Sequence, residues 1–188
     1  MVWELEEVYQ LKITLKGIRP PIWRRILVPS TMTLPRLHQT IQIAMGWTDS
    51  HLHQFIVGRT SFGVPDPDPD YYDRTLNEKS VRIQQLITHE KDTVTYEYDF
   101  GDGWEHEIKL EKILPVEKGQ RLPVCVAGKR ACPPDDCGGV GGYYHILEAI
   151  EDPENPEYEE LLYWLGESFD PEEFDLQEVN ELLKAYAK

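Results

Sequence analysis

The alternation of apolar and polar positions is clearest in residues 94–110, VTYEYDFGDGWEHEIKL, where two runs flank a Gly-Asp-Gly. A period of two is typical of a half-buried strand, and an Asp-Gly pair between two such runs favours a hairpin. The pattern therefore predicts an antiparallel hairpin with one face on a core and the other in water. The residues expected on the buried face are Val94, Tyr96, Tyr98, Phe100, Trp104, His106, Ile108 and Leu110.

Alternation of the same kind predicts strands over residues 8–16, 22–28 and 51–57. Two prolines separate the first two strands and indicate a turn, because proline can continue neither a ladder nor a helix. In the second strand, Arg24 and Arg25 point to opposite faces. We therefore expect one of the two arginines on the hairpin side of the fold.

Residues 34–45 carry apolar positions at helical spacing, after Thr33 as a capping residue and before Gly46 as a helix end. Leu37 and Ile41 lie at the centre of this apolar stripe, so we expect both to be buried. Three further helices are expected toward the C-terminus, starting near residues 143, 155 and 176, the last after an Asp-x-x-Glu capping box.

Two segments rich in proline and glycine predict loops. Residues 63–73 alternate proline with aspartate, which indicates a surface loop. Residues 121–142 form a longer stretch with too much glycine and proline for a regular element, and loops of this length are usually functional or pinned by something. Residues 80–87 are ambiguous and favour one or two helical turns.

A strand-rich N-terminal part followed by a helical C-terminal part predicts an α+β fold, with an antiparallel-rich sheet packed on one central helix. The acidic C-terminal helices would cover one side of that sheet. The length of 188 residues suits a single domain. We expect it to divide into a β-rich core over about residues 6–114, a Cys/Gly loop over 121–142 and a helical part over 143–188.

Charge is unevenly distributed along the chain. Of the net charge of -15, residues 139–188 contribute -12, from 14 acidic and 2 basic side chains. This excess argues against a nucleic-acid surface spread over the whole molecule. A basic face is confined to residues 12–36.

Two features bear on location. No apolar run approaches the ~20 residues that a membrane span requires, and the N-terminus lacks the pattern of a signal peptide. We expect a cytosolic protein without a membrane partner, in which the three cysteines stay reduced.

The cysteines are the first candidate for chemistry. Cys125, Cys132 and Cys137 lie within 13 residues and could supply three zinc ligands, with His106 or His145 as the fourth. The C-x2-C spacing of zinc knuckles is missing, so small buried cysteines under a loop are the favoured interpretation. A Cys125–Cys132 disulfide is a third alternative, which a reducing cytosol disfavours.

The glycines at 138–142 run into the helix expected at Tyr143 and could present amides to an anion. Asp135 and Asp136 precede them directly, and their carboxylates would repel a phosphate. The segment also matches neither phosphate-binding glycine pattern. A backbone turn with positive φ is therefore the better explanation.

The hairpin is dense in titratable groups. His106 with Asp102 or Asp136 could do acid–base work, alone or around a metal. Against this, His106 shares the apolar face with Trp104, where a histidine is more often a satisfied core residue. No serine lies in the context of a nucleophile elbow or catalytic triad.

Five motifs together carry a resemblance to a known family. In order they are IRPPIWRR (18–25), LHQTIQIAMGW (37–47), HLHQF (51–55), YDFGDGWEH (98–106) and ACPPDDCGGVGGY (131–143).

Over about residues 6–186 the chain resembles the plasmid pRi (root-inducing plasmid) ORF-three-like proteins. The resemblance implies an α/β-roll arrangement and no established activity. Some members carry resolvase-like or repressor-like labels, which makes a role as a DNA-transaction accessory protein a further alternative. Asp135 stands where the family usually has glutamate, which keeps the carboxylate and shortens its reach.

We therefore expect a non-enzymatic cytosolic binding or adaptor domain that needs no cofactor and takes a protein or small-molecule partner. Its contact surface would combine the Trp47/His53 region, the turn at residues 102–104 and the loop at 125–143. We also expect this loop to pack on the hairpin without zinc, with Asp135 or Asp136 bonded to backbone amides or an arginine. The candidate binding residues are Arg24, Arg25, Trp47, His53, Asp102, Trp104, His106, Asp135, Asp136 and Tyr143.

Overall fold

The computed structural model describes residues 7–66, 74–166 and 169–186, which form one eight-stranded sheet and four α-helices. The order of strands is β5-β4-β3-β6-β7-β1-β2-β8, and every neighbouring pair is antiparallel except β4–β5. The expected α+β class is confirmed. The strands are β1 Glu7–Leu15, β2 Trp23–Pro29, β3 His53–Val57, β4 Thr60–Gly63, β5 Leu76–Asn77, β6 Thr93–Tyr98, β7 Trp104–Pro115 and β8 Val124–Lys129; the helices are α1 Leu34–Met45, α2 Gly139–Glu151, α3 Tyr158–Trp164 and α4 Leu176–Tyr186.

The predicted hairpin is formed by β6 and β7, with Tyr98 paired to Trp104 across its closed end. Its apolar face is buried as expected, with one exception. Phe100 is 51 % exposed, because β6 ends at Tyr98 and Asp99 adopts a positive φ of 56°. That backbone conformation breaks the alternation before the turn begins.

Helix α1 has the predicted bounds, and its apolar stripe is buried. Leu37 and Ile41 are both 0 % exposed. Thr33 occupies the N-cap position without a side-chain hydrogen bond, and Gly46 ends the helix with a φ of 96°. Amphipathic spacing, a proline in the first turn and a glycine past the end were sufficient to place this element.

The prediction of an irregular segment over residues 121–142 was wrong at both ends. Strand β8 pairs with β2 as the last strand of the sheet, and α2 begins at Gly139. The glycines suit close backbone approach inside a helix. A Cβ on Gly139 would lie 2.5 Å from the carbonyl oxygen of Asp102, and one on Gly142 would collide with the carbonyl oxygen of Cys137.

The segment between β3 and the hairpin contains two short strands that the alternation did not predict. Gly63 ends β4, so the loop expected over residues 63–73 starts later, and its positions 67–73 lie outside the described residues. Within residues 80–87, where one or two helical turns were expected, Ile83–Gln85 forms one short 3-10 turn.

Helix α4 covers the outer strand of the sheet. Asp175 caps it, since its Oδ1 accepts the amides of Gln177 at 2.8 Å and Glu178 at 3.0 Å. Asn180 exchanges two hydrogen bonds with the backbone of Cys125 on β8, each 2.8 Å long. An edge strand is thereby shielded from pairing with another chain. None of the described helices has both the length and the apolar character needed to cross a membrane.

Candidate functional site

A cleft of about 690 Å³ lies where α1, the start of β3 and the segment after β5 meet. Its volume is within the range of small-molecule sites. We call it the histidine–carboxylate cleft, after three histidines and two carboxyl groups in its lining. The lining residues are Thr33, Pro35, Arg36, His38, Gln39, Asp49, His51, Leu52, His53, Val64, Glu78 and Tyr186.

His38 is held through both of its ring nitrogens. Its Nδ1 lies 2.8 Å from the Tyr96 hydroxyl, and its Nε2 lies 2.7 Å from Asp49 Oδ1. Gln42 donates to the same hydroxyl at 2.9 Å. The hydroxyl can therefore donate its own proton to Nδ1, which leaves Nε2–H to donate to Asp49.

His53 makes a second, parallel pair with a carboxyl group. Its Nε2 lies 3.1 Å from Glu78 Oε1, and the two side chains are 9 % and 4 % exposed. The other oxygen, Glu78 Oε2, is buried and accepts no hydrogen bond within the part of the chain that the structure describes. A buried carboxyl oxygen without a donor is costly, so this atom is an unsatisfied acceptor in the lining of the cleft.

The two imidazole rings are stacked. The centroids of His38 and His53 are 3.5 Å apart and their planes differ by 4°. Burial, and then the charge that His53 can carry, lower the pKa of His38, although Asp49 acts in the opposite direction. His38 is therefore neutral at physiological pH.

A second group of polar atoms lies beside the cleft. His51 Nε2 is 3.2 Å from Asp136 Oδ1 and 3.6 Å from Asp99 Oδ2. Asp99 is also fixed from behind, because its Oδ1 accepts the amides of Gly101 at 2.9 Å and Asp102 at 3.3 Å. The segment before β3, the end of β6 and the loop before α2 thus converge on one point.

The two arginines of β2 have different environments, as their opposite faces predicted. Arg24 is 2 % exposed and donates to the carbonyl oxygens of Ala44 at 2.7 Å and Lys129 at 2.9 Å. Arg25 forms a bidentate ion pair with Glu111. Neither guanidinium is a free anchor for a partner.

The aromatic candidates are core residues and do not form the exposed contact surface that we expected. Trp47 is 7 % exposed and Trp104 and Tyr143 are each 0 % exposed. Trp47 donates from its ring nitrogen to the carbonyl oxygen of Pro133 at 2.9 Å. This bond connects the end of α1 to the loop between β8 and α2, which we call the cysteine loop. These rings fill the core, where large aromatic area contributes most.

The structure does not bring His106 to either of its suggested carboxylate partners. His106 is completely buried and its Nδ1 lies 3.3 Å from the carbonyl oxygen of Tyr96. Asp102 instead accepts the amide of Gly138 at 3.1 Å, and Asp136 lies beside His51. Burial lowers the pKa of His106 to about 4, so it remains a neutral core residue.

The three cysteines are free thiols spread over different contacts. Among the described residues, the three-residue groups with ligand atoms within 4.8 Å of one another contain no cysteine. Burial raises the pKa of Cys132 and of Cys137 to about 12 in each case. Thiols of this kind pack as small apolar groups.

The cysteine loop is packed on the hairpin, but the expected partners of its aspartates were wrong. Asp135 accepts from the Thr48 hydroxyl at 3.1 Å, and Asp136 approaches His51. The backbone amide of Gly138, at the start of α2, donates to Asp102 and not to Asp135 or Asp136. The capping carboxylate therefore comes from the hairpin turn and not from the loop itself.

Sequence reasoning selected His53 and Asp136 but missed other polar residues of the two groups. His51 and His53 are two positions apart, a spacing that places side chains on one face of an extended segment and could have pointed to them as a pair. No local sequence pattern identifies the remaining residues, because they lie far apart along the chain and come together only in the folded protein. They are His38, Asp49, Glu78 and Asp99.

Comparison with known proteins agrees with the motifs. The chain is 40 % identical over 165 residues to the uncharacterized protein y4hQ of Sinorhizobium fredii, covering 86 % of this chain and 82 % of that protein. It also resembles the crystal structure of MM3350, a protein of unknown function from Methanosarcina mazei Go1. That match has a TM-score of 0.83 and 42 % identity, and it covers 92 % of this chain and 97 % of the other. Neither name assigns an activity.

Residues 7–178 match the family described as "Plasmid pRiA4b ORF-3-like protein". The match spans all eight strands and helices α1, α2 and α3, so it includes every residue of the cleft except Tyr186. The chain belongs to the plasmid pRiA4b ORF-3-like protein family.

Proposed function

We propose that this protein is a non-enzymatic binding domain and that the histidine–carboxylate cleft is its ligand site. The observation that carries the proposal is Glu78, whose side chain is 4 % exposed and whose Oε2 accepts no hydrogen bond among the described residues. A ligand that donates to this oxygen would remove an unfavourable buried acceptor, which is worth ~1–3 kcal/mol.

The chemistry of the cleft favours a small ligand with an amine or guanidine group. Asp49 and Glu78 both line it, and the stacked pair of His38 and His53 lies between them. A cationic nitrogen supplies the donors that carboxyl oxygens accept most strongly. The net charge of -15 adds a long-range attraction for a cation.

Binding is better supported than acid–base catalysis. Both nitrogens of His38 are already engaged, by Tyr96 and Asp49, so no lone pair of this ring remains for a substrate proton. His106 lies in the core, away from the cleft. A general base has to reach the proton that it abstracts.

A nucleic-acid role has less support still. Half of the six basic residues in the segment that could have formed a DNA face are already engaged within the protein: Arg24 is buried against carbonyl oxygens, Arg25 pairs with Glu111 and Lys16 pairs with Glu105 at the surface. We expect no specific duplex binding near physiological salt. Sub-micromolar binding in a shift assay would contradict this expectation.

The proposal extends to a single domain in the cytosol. One hydrophobic cluster contains Leu11 of β1, Ile41 of α1 and Leu183 of α4, which supports one folding unit. Three free thiols are compatible with a reducing compartment.

Isothermal titration with methylguanidinium and with butylamine, at fixed ionic strength, tests the ligand class. We expect saturable binding of at least one of the two, and a loss of at least ~10-fold in affinity in Glu78→Gln, because a charge-assisted bond to the buried oxygen is weakened. Glu107→Gln, at an exposed position of β7, is the matched control and should bind as the unmodified protein does. Equal affinity in the two variants, or no binding of either compound, would refute the proposal.

A further inference from the structure

The point at which His51, Asp99 and Asp136 meet has the composition of a metal site. One imidazole nitrogen and two carboxylate oxygens from three separate segments lie within 4.8 Å of one another. We propose that these three side chains bind a divalent transition-metal ion, with zinc as the ion that they fit best. The site is distinct from the amine-binding role of the cleft and does not depend on it.

The distances fit an ion better than they fit direct hydrogen bonds. His51 Nε2 is 3.6 Å from Asp99 Oδ2, which is too long for a hydrogen bond, and 3.2 Å from Asp136 Oδ1. Two ligand atoms that are each ~2.1 Å from a tetrahedral zinc ion are about 3.4 Å apart. The two distances lie on either side of that value.

The burial of the nitrogen supplies an independent observation. His51 Nε2 is enclosed, yet it makes no hydrogen bond with any described residue, although two carboxylates are close to it. A buried ring nitrogen without a partner is unusual in a polar surrounding. A metal ion between the ring and the carboxylates would satisfy it.

Asp99 is prepared for the role of a ligand. Its side chain is 9 % exposed, and its Oδ1 is held by the amides of Gly101 and Asp102. These two hydrogen bonds fix the carboxylate and turn Oδ2 toward His51, as is typical of metal-binding carboxylates. An ordered carboxylate loses little entropy when it binds an ion.

The other histidine group of the cleft, His38, Asp49 and His53, does not meet the same requirement. A metal ion lies close to the plane of each imidazole that binds it. The rings of His38 and His53 are parallel within 4° and their centroids are 3.5 Å apart, so one ion cannot lie in both planes. Direct hydrogen bonding accounts for that group, with Nε2 of His38 2.7 Å from Asp49.

Three protein ligands leave the fourth position of a tetrahedral ion open. The side chain of Asp136 is 74 % exposed, so the ion would be accessible from solvent. His51 also lines the histidine–carboxylate cleft. A molecule in the cleft could therefore reach the open position of the ion.

Calorimetric titration of the chelator-treated protein with zinc chloride tests the site. We expect one equivalent of zinc to bind, with affinity lowered at least ~10-fold in both His51→Gln and Asp136→Asn. Asp136→Asn is the safer variant, because the side chain is exposed and asparagine tolerates the positive φ of 59° at this position.

Two controls separate this site from other zinc ligands. His89→Gln removes an exposed histidine that also lies near an aspartate, Asp92, and Cys132→Ser removes a thiol of the cysteine loop. Both should bind zinc as the unmodified protein does. No binding, binding that His51→Gln and Asp136→Asn leave unchanged, or binding that only Cys132→Ser abolishes would each overturn the proposal.

Discussion

Arg24 joins three parts of the fold, and its replacement by methionine should be among the most damaging single changes. Its guanidinium donates to Ala44 at the end of α1 and to Lys129 at the end of β8. The group also lies over the ring of Phe174, with its central carbon 4.2 Å from the ring centroid. Burial lowers the pKa of Arg24, but the carbonyl oxygens that accept its hydrogen bonds stabilise the positive charge of the guanidinium.

The expected cost follows from the acceptors left behind. Methionine fills much of the same volume but donates nothing, so the carbonyl oxygens of Ala44 and Lys129 lose the donor that joins them. The bond to Ala44 is buried and the bond to Lys129 is partly buried, so at ~1–3 kcal/mol for a fully buried unsatisfied group Arg24→Met should lower the free energy of unfolding by ~2–4 kcal/mol. Part of this loss is offset because the variant no longer buries a charge.

Arg25→Met is the matched control, because it alters the neighbouring residue on the opposite face of the same strand. Arg25 and Glu111 are 30 % and 20 % exposed at their side chains, and Glu111 keeps solvent access and a hydrogen bond from Gln10 when the arginine is lost, so Arg25→Met should cost less than Arg24→Met. Urea unfolding followed by tryptophan fluorescence gives both values. A loss in Arg24→Met that exceeds the loss in Arg25→Met by less than ~1 kcal/mol would refute the reasoning.

Three further predictions concern the core, the glycine helix and acid stability. Ile41→Ala in α1 should lower the free energy of unfolding by ~2–5 kcal/mol through lost burial and a cavity, while Ile43→Ala, at a partly buried position, should cost less in the same urea titration. In α2, Gly141→Ala meets nothing within 4 Å and should raise the melting temperature, whereas Gly142→Ala collides with the Cys137 carbonyl and should lower it; the same sign for both would show that helix propensity alone decides. His106 has a folded pKa of about 4 against 6.5 for the free side chain, so the contribution of the neutral ring to the free energy of unfolding is complete above pH 6.5. It is lost toward pH 4 at about 1.4 kcal/mol per pH unit, because only the unfolded chain takes up the proton in this range. The free energy of unfolding should therefore fall less steeply with decreasing pH in His106→Gln, and equal slopes would contradict the buried neutral state.

The sequence predicted those elements whose pattern is contained in one segment. Strands β1, β2, β6 and β7 alternate over their own length, and α1 carries its apolar stripe, its proline and its final glycine in one stretch. Each of these elements needs only one face toward the core, and that requirement leaves a local period.

The errors arise where distant parts of the chain decide the structure. The glycines of α2 weaken its helical pattern, yet the backbone of Asp102 and Cys137 comes so close that a side chain would clash. Strand β8 is short and rich in small residues, and it is defined by pairing with β2. Phe100 continued the alternation of the hairpin, but the conformation of Asp99 turned it outward.

The candidate site was predictable only in part for the same reason. His53 and Asp136 were selected from their motifs, whereas the exposed aromatic anchors expected at Trp47 and Trp104 proved to be core residues. Glu78 pairs with His53, which lies 25 positions away in the chain, and no local sequence pattern predicts a contact between residues so far apart. A buried polar pair becomes visible only when the fold places its two members together.

Side-chain NMR of the six histidines, recorded during titration with methylguanidinium, tests the proposed ligand site most directly. His38, His51 and His53 line the cleft, whereas His106 is in the core and His89 is on the surface. Ligand binding in the cleft predicts saturable shifts of the His38 and His53 ring signals, with a midpoint at an at least ~10-fold higher ligand concentration in Glu78→Gln and with His89 and His106 unchanged. Unmoved His38 and His53 signals at saturation, or shifts with the same midpoint in Glu78→Gln as in the unmodified protein, would contradict the assignment of the cleft as the ligand site.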